Sequence, residues 1–119
     1  MTYIKLGGVR AFPGAMPDKE QVLKPLEEAA EVYGAWQMLT STRANLRAML
    51  DDHGCDEANV DEVVACMDDA HYCMARIFYE IADTIQACAN LAAALGVTDL
   101  TPYLAQCEER NRKRGRYED

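Results

Sequence analysis

Four acidic residues of this chain form two pairs, and the members of each pair are three positions apart. Glu28 and Glu31 make the first pair, and Glu80 and Asp83 make the second. Residues three apart lie on the same face of an α-helix, so each pair predicts two neighbouring carboxylates. The pairs are nearly equidistant from Gly54, which is the clearest turn signal in the sequence. They are therefore the first candidates for chemistry.

The symmetry about Gly54 predicts that the two pairs meet in space. If antiparallel helices of equal rise flank this turn, facing positions have residue numbers with a constant sum. Glu28 with Asp83 and Glu31 with Glu80 both sum to 111. Four carboxylates held together repel one another and lose hydration, so the cluster predicts a divalent cation that compensates the charge. Oxygen-only ligands favour Mg²⁺, with Mn²⁺ as a substitute.

Further polar residues continue the same helical stripes. Gln21 and Lys24 precede Glu28 at helical spacing, and Ala87 and Asn90 follow the second acidic pair. The same sum places Gln21 opposite Asn90 and Lys24 opposite Ala87, which predicts a polar trench between the helices. Lys24 and Asn90 are candidate ligand contacts. Alternatively, Lys24 forms an ion pair with Glu28, Asn90 is a polar cap in a bundle, and the acidic pairs are solvated surface.

The elements that must position these residues are helices, and the apolar spacing predicts an all-α fold built on an antiparallel hairpin. Residues 1–17 contain several glycines and prolines and predict an irregular N-terminal arm, which either packs over a site or stays free. Asp18 with Gln21 predicts the cap of the first helix. Pro25 either kinks this helix or marks its first regular turn. Residues 40–42 either end it or lie within it.

A second capping signal, Asn59 with Glu62, predicts a helix that lasts until Gly96. At 1.5 Å per residue, about 36 residues give a helix of roughly 54 Å. Thr101 as N-cap and Pro102 as the first helical residue predict a short last helix. A hairpin with such long arms cannot cover its own apolar surface, so we expect oligomerisation to complete a four-helix-bundle-like arrangement.

Composition limits the classes of function. Twenty acidic and twelve basic residues give a net charge of −8, which argues against nucleic-acid binding because that binding depends on neutralising phosphates. Five basic residues crowd into positions 110–116, so the chain ends in a basic C-terminal tail, residues 114–119. The five cysteines are odd in number and lack a CxxC spacing, which predicts buried thiols in a reducing cytoplasm. No apolar run approaches the roughly 18 residues of a membrane span.

Other metal schemes fit less well. Asp68 and His71 have the spacing of di-iron bundles, but the chain has no Glu-x-x-His motif. A zinc set of Cys66, Asp68, His71 and Cys73 has no recognised ligand spacing.

Three stretches of the sequence resemble a known enzyme family. They are Lys24 to Gln37 (KPLEEAAEVYGAWQ), Glu80 to Asp83 (EIAD) with Asn90-Leu-Ala shortly after it, and Cys107 to Tyr117 (CEERNRKRGRY). Together they resemble the MazG-like branch of the all-α nucleoside triphosphate pyrophosphohydrolases, in its small single-domain form. The resemblance covers most of residues 18–37 and 76–117, and it makes residues 18–113 the expected enzyme domain.

The resemblance implies a helical bundle that assembles as a homodimer or homotetramer. It also implies Mg²⁺-dependent hydrolysis of a ribo- or deoxyribonucleoside triphosphate to the monophosphate and pyrophosphate. The family's metal ligands fall on Glu28, Glu31, Glu80 and Asp83. Glu27 is an extra ligand or, like Glu28, a candidate base for the attacking water.

The resemblance also supplies candidate substrate contacts, which are Lys24, Asn90, Trp36, Arg110, Arg114 and Tyr117. Trp36 has a competing interpretation as a core residue. One departure from the family is the 48 residues between Glu31 and Glu80, which make residues 40–75 either extended helical arms or an inserted helical pair. The alternative functions are a phosphoribosyl-ATP pyrophosphohydrolase and a non-enzymatic helical module that binds a nucleotide, a metal or a partner.

Overall fold

Two long helices pack against each other as an antiparallel hairpin, and a short third helix follows. The computed structural model describes residues 2–118, in which α1 spans Lys19–His53, α2 spans Val60–Ala94 and α3 spans Thr101–Lys113. The described residues contain no strand, so the predicted all-α hairpin is confirmed. The molecule is elongated, with extents of 60 × 39 × 22 Å.

Helix α1 begins where the sequence predicts and passes through its proline. The amide of Gln21 donates to Oδ1 of Asp18 at 2.9 Å, which satisfies one of the free donors at the helix start. Pro25 lies inside the helix. Because proline has no amide hydrogen, the carbonyl oxygen of Gln21 lacks its usual helical donor.

Helix α1 also continues through the threonines that could have ended it. The hydroxyls of Thr40 and Thr42 donate to carbonyl oxygens four residues earlier, at 3.0 and 2.9 Å. A hydroxyl that bonds back to the preceding turn is satisfied inside the helix and does not need a cap. Residues 40–75 are therefore extended helical arms and a turn, and they contain no inserted helical pair.

In the turn between the long helices, the side chain of Asn59 does not form the predicted capping box. Gly54 has a φ of 63° and ends α1. Asn59 is the N-cap of α2, yet its side chain makes no bond to the amides of that helix. Instead its Nδ2 donates to the carbonyl of Gly54 at 2.7 Å, and its Oδ1 accepts from the amide of Asp56 at 2.9 Å. The predicted box with Glu62 is wrong because Asn59 closes the turn.

The C-terminal end of α2 has the geometry predicted for a glycine stop. Gly96 has a φ of 87°, a conformation that costs a residue with a Cβ atom more than it costs glycine. The amide of Gly96 donates to the carbonyl of Ala93 at 3.0 Å, and that of Val97 donates to Ala92 at 2.9 Å. This pair of bonds is a Schellman motif.

Helix α3 starts one residue earlier than predicted. Thr101 is its first residue and Leu100 its N-cap, while the amide of Thr101 donates to Oδ1 of Asp99 at 2.9 Å. The carboxylate of Asp99 thus accepts a hydrogen bond from an amide at the start of the helix, a role predicted for the side chain of Thr101. No Cα atom of α3 lies within 8 Å of a Cα atom of α1 or α2.

The contact between α1 and α2 is a narrow seam of residues at helical spacing. Its buried and half-buried members on α1 are Gln21, Pro25, Glu28, Val32, Ala35, Leu39, Thr42, Leu46 and Met49. On α2 they are Val63, Cys66, Ala70, Cys73, Ile77, Glu80, Thr84, Ala87 and Leu91. Most of these side chains are small or apolar, and the acidic Glu28 and Glu80 interrupt them.

The two sides of the hairpin differ in the half remote from Gly54. Positions directly after seam residues carry exposed apolar side chains, here called the apolar face: Val22, Leu26, Tyr33, Trp36, Phe78 and Ile81. Positions directly before seam residues carry mostly polar side chains, with the exposed Tyr79 as an exception. The polar ones, here called the polar face, are Lys24, Glu27, Glu31, Asp83, Gln86 and Asn90. In an antiparallel pair, equal offsets from the seam fall on the same side. The hairpin is therefore amphipathic as a whole.

Two other expectations concern burial and membranes. Cys73 is buried and Cys66 half-buried, whereas Cys55, Cys88 and Cys107 are exposed. The prediction of mostly buried thiols is therefore wrong, because the hairpin is too thin to cover both sides of its helices. None of the described helices is both long and apolar enough to cross a membrane.

Candidate metal centre

The seam brings three of the four predicted ligands together. Single carboxylate oxygens of Glu28, Glu80 and Asp83 lie within 4.8 Å of one another. Glu28 comes from α1 and the other two from adjacent turns of α2, as expected from the mirrored pairs. Glu28 and Glu80 are half-buried and Asp83 is exposed. Their role as metal ligands stays a prediction.

Glu31, the fourth predicted ligand, is exposed and lies beside Glu80. Partial desolvation is the largest cause that raises the pKa of Glu80 above its ordinary value of 4.5. A hydrogen bond with Glu31, the charge of Glu31 and then that of Asp83 raise it further, while Arg76 opposes them.

The two oxygens of Glu80 have different surroundings. Oε1 lies 3.7 Å from Nε of Arg76, which is a long ion pair. Oε2 is buried and has no hydrogen-bond partner in the described part of the chain. A buried oxygen without a partner is costly, and a cation between the carboxylates would remove both this cost and the repulsion. The all-oxygen donor set and the surplus of negative charge fit Mg²⁺.

An open cavity of about 400 Å³ extends from Glu28 and Asp83 along the polar face, and Glu80 does not line it. It is lined by Phe12, Gln21, Lys24, Glu28, Asp83, Gln86, Ala87 and Asn90. The lining contains both members of three pairs whose numbers sum to 111. Glu28 and Asp83 mark the acidic end, and Gln21 and Asn90 lie two helical turns away.

Lys24 lines this cavity but does not pair with Glu28. Its Nζ lies 3.2 Å from Oε2 of Glu27, and both side chains are more than half exposed. The hydrogen bond and charge of Glu27 raise the pKa of Lys24. The ion pair with Glu28 that the sequence suggested is therefore replaced by one with Glu27, which does not line the cavity. An exposed pair of this kind contributes little to stability.

Asn90 is the one buried polar residue in the described chain, with 5% of its surface exposed. Its Oδ1 accepts from the amide of Phe12 and from Nε2 of Gln86, both at 2.9 Å. Nε2 of Gln86 also donates to the carbonyl of Arg10 at 2.9 Å. The N-terminal arm therefore packs over the cavity at this point. Phe12 and Gln86 were not among the residues predicted from the sequence, because the helical spacing of Gln86 and Asn90 is the only local sign of a shared role.

The remaining candidate substrate contacts lie elsewhere in the chain. Trp36 is half-exposed on the apolar face and stacks on Tyr33, with ring centroids 6.0 Å apart, so its interpretation as a core residue is wrong for the single chain. Tyr117 lies near the start of the N-terminal arm. Neither residue lines the cavity, and neither do Arg110 and Arg114 of α3 and its C-terminal end.

No other cluster of metal-ligating side chains is present among residues 2–118, so Cys66, Asp68, His71 and Cys73 do not converge on one point. Comparisons of this chain with models of protein families, with characterised proteins and with solved structures found no significant match.

Proposed function

We propose that this protein is a Mg²⁺-dependent nucleoside triphosphate pyrophosphohydrolase. The observation that carries the proposal is the cluster of Glu28, Glu80 and Asp83, in which Oε2 of Glu80 is buried and has no hydrogen-bond partner among the described residues. Glu28 and Asp83 of this cluster line one end of an open cavity. This donor set suits a hard divalent cation, and a cation in an open cavity suits a polyphosphate ligand. The motifs that resemble MazG-like enzymes support the same conclusion.

In this proposal Glu28, Glu80 and Asp83 hold the cation, and the neighbouring Glu31 completes the set. A bound Mg²⁺ offsets the negative charge of the phosphates and lowers the pKa of the attacking water. Lys24 serves the phosphates directly. Its pair with Glu27 is exposed, so exchanging that carboxylate for a phosphate oxygen costs little.

Two residues compete for the role of general base, and the geometry favours Glu28. Glu28 lines the cavity, whereas Glu27 lies outside it and is paired with Lys24. A carboxylate has two oxygens, so Glu28 can bind the cation through one and accept the proton of the water at the other. The water oxygen bonds to the α-phosphorus, the α–β anhydride bond breaks, and pyrophosphate leaves.

We further propose that the active form is a homodimer or homotetramer joined through the apolar face. Because the cavity opens on the polar face, such assembly leaves it accessible. Arg110, Arg114 and Tyr117 do not reach the cavity of their own chain, so their proposed contacts with the substrate come from a neighbouring subunit.

The test is an assay of pyrophosphate release from a panel of ribo- and deoxyribonucleoside triphosphates with Mg²⁺. Asp83→Asn and Glu28→Gln are expected to lower kcat/KM by at least about 100-fold, since even residues that only support metal ligands typically cost 10–100-fold. Glu27→Gln is expected to have a much smaller effect.

Asp69→Asn is the matched control, because Asp69 is an exposed acidic residue of α2 that lies outside the cavity. Absence of turnover by the wild type, or full activity of Asp83→Asn, contradicts the proposal. Stabilisation by Mg²⁺ and a nonhydrolysable nucleotide without any turnover would instead favour a binding module.

A further inference from the structure

The N-terminal arm is tied to α2 at one short segment. Two hydrogen bonds hold residues 10–12, one from the amide of Phe12 to Asn90 and one from Gln86 to the carbonyl of Arg10. A third bond joins Gln86 to Asn90. Residues 2–9, which precede this segment, are exposed. The side chain of Asn90, which is buried, accepts a hydrogen bond from the amide of Phe12. This degree of burial indicates that the position of Phe12 is defined, unlike that of a free tail.

The ring of Phe12 is not used to fill the core. Phe12 lines the cavity and 61% of its surface is exposed. Directly after it, Pro13 and Gly14 form a turn in which Gly14 has a φ of 78°. The chain then reaches Asp18, where α1 begins. The segment thus crosses from α2 to α1 at the end of the cavity remote from the carboxylates.

The two ends of the cavity differ in charge. Its acidic end holds Glu28 and Asp83, and its other end holds the uncharged Gln21, Asn90 and Phe12. Seven residues separate Glu28 from Gln21, which is roughly 10.5 Å of helix at 1.5 Å per residue. That separation suits a nucleoside whose phosphates lie at the acidic end and whose base reaches the far end.

We infer that Phe12 is the surface on which the base of the bound nucleotide stacks, and that Gln86 and Asn90 are positioning residues that hold it there. This inference rests on the proposed function and names a contact within it. An aromatic ring accepts any base because every base has a π-face. Phe12 therefore contributes affinity for the nucleoside part of the ligand and none for its phosphates.

Calorimetric titration separates these two contributions. The ligands are a nonhydrolysable deoxynucleoside triphosphate and inorganic tripolyphosphate, each with Mg²⁺. Phe12→Ala is expected to weaken nucleotide binding by roughly 10-fold, which is within the range for the loss of one base–aromatic stack. It should leave tripolyphosphate binding unchanged, and Phe12→Trp should restore the nucleotide affinity.

Tyr3→Ala is the matched control, since Tyr3 is an exposed aromatic residue of the same arm that does not line the cavity. Gln86→Ala is expected to weaken nucleotide binding and leave tripolyphosphate binding unchanged, as expected for Phe12→Ala. A general loss of stability would weaken the binding of both ligands. Equal losses for both ligands, or no loss of nucleotide affinity in Phe12→Ala, overturn the inference.

Limited trypsin digestion gives a second readout without turnover. The bonds after Lys5 and Arg10 are both in the arm, and only Arg10 belongs to the tied segment. The nonhydrolysable nucleotide is expected to slow cleavage after Arg10 and not after Lys5, while Gln86→Ala speeds cleavage after Arg10. Equal effects at the two bonds contradict the inference.

These outcomes are distinguishable from failure of the proposed function. If nucleotide binding depends on Phe12 but no pyrophosphate is released, the stacking contact is supported and the proposed reaction is contradicted. Pyrophosphate release with no dependence on Phe12 retains the reaction and rejects the contact. A wild-type protein that does not bind the nucleotide rejects both.

Discussion

Glu80 lies in the seam of a hairpin where most other residues are small or apolar, and its Oε2 has no hydrogen-bond partner among residues 2–118. The neighbouring Glu31 and Asp83 raise its pKa, and Arg76 compensates only in part. Relative to the unfolded chain, folding therefore favours the protonated form of this residue. The carboxylate that would bind Mg²⁺ in the proposed function thus destabilises the metal-free fold at neutral pH.

The stability of the metal-free protein is expected to depend on pH through Glu80. Because the folded state raises the pKa of Glu80, folding favours proton uptake, and this contribution to stability is full below the ordinary value of 4.5. It is lost as the pH rises through the folded-state pKa. We expect Glu80→Gln to melt at a higher temperature than the wild type at neutral pH and to lose less stability between pH 4.5 and neutrality.

Calorimetric melting of both proteins in chelator, and then with Mg²⁺, checks this prediction. Mg²⁺ should stabilise the wild type more than Glu80→Gln, since the variant lacks one charged ligand. A wild type that melts at the same temperature with and without Mg²⁺, or a variant less stable than the wild type in chelator, would show that Glu80 is not under this repulsion.

At the scale of elements, the sequence near each turn predicts where a helix begins or ends. It does not always predict which side chain forms the hydrogen bonds there. Gly96 stops α2 through its own backbone conformation, which needs no distant partner. Asn59 had two possible bonds, one to the helix and one across the turn, and its side chain took the second. A capping box cannot be predicted when a nearby turn competes for the same side chain.

Two glycines in different conformations provide a matched pair of mutations. Gly96 has a φ of 87°, so Gly96→Ala is expected to destabilise the protein by about 1 kcal/mol or more. Gly34 lies inside α1 with open space around its missing Cβ, so Gly34→Ala is expected to stabilise it by roughly 0.5–1 kcal/mol. Urea unfolding of the two variants measures both signs. Destabilisation of similar size in both would contradict the assignment of Gly96 as the helix stop.

At the scale of the whole molecule, the hairpin is too thin to cover its apolar side chains. Only Ala35, Leu39, Val63, Cys73 and Ala87 are buried apolar residues in the described chain. The apolar face remains exposed, and contiguous exposed apolar surface marks an interaction site in most proteins. Since the opposite side carries the cavity, the proposed assembly and the proposed ligand binding would use different surfaces.

Phe78 and Tyr79 test this division, because they are adjacent, both exposed and on opposite sides of the hairpin. Phe78→Glu is expected to reduce the oligomer to a smaller species, since it places a charge in the apolar face. Tyr79→Glu should leave the mass unchanged. Light scattering after gel filtration measures the mass of each. A monomeric wild type, or equal effects of the two substitutions, argues against assembly through this face.

Much of the candidate site could be predicted because it depends on regular geometry. Helical spacing put Glu80 and Asp83 on one face, and equal rise on both sides of Gly54 brought Glu28 to them. The prediction failed where a side chain had a choice of partner. Lys24 bonded Glu27 in place of Glu28, and three or four residues along an exposed helix are equally within reach.

The sequence by itself determined the start of the first helix, the long second helix with its stop at Gly96, and the register that groups the carboxylates. It left open whether the first helix continues through residues 40–42. The features that it determined follow from local spacing and backbone conformation. Only the tertiary structure decided that Oε2 of Glu80 is buried without a partner and that the amide of Phe12 meets Asn90, 78 residues away. Contacts between distant segments depend on how the whole chain packs, and no local pattern encodes them.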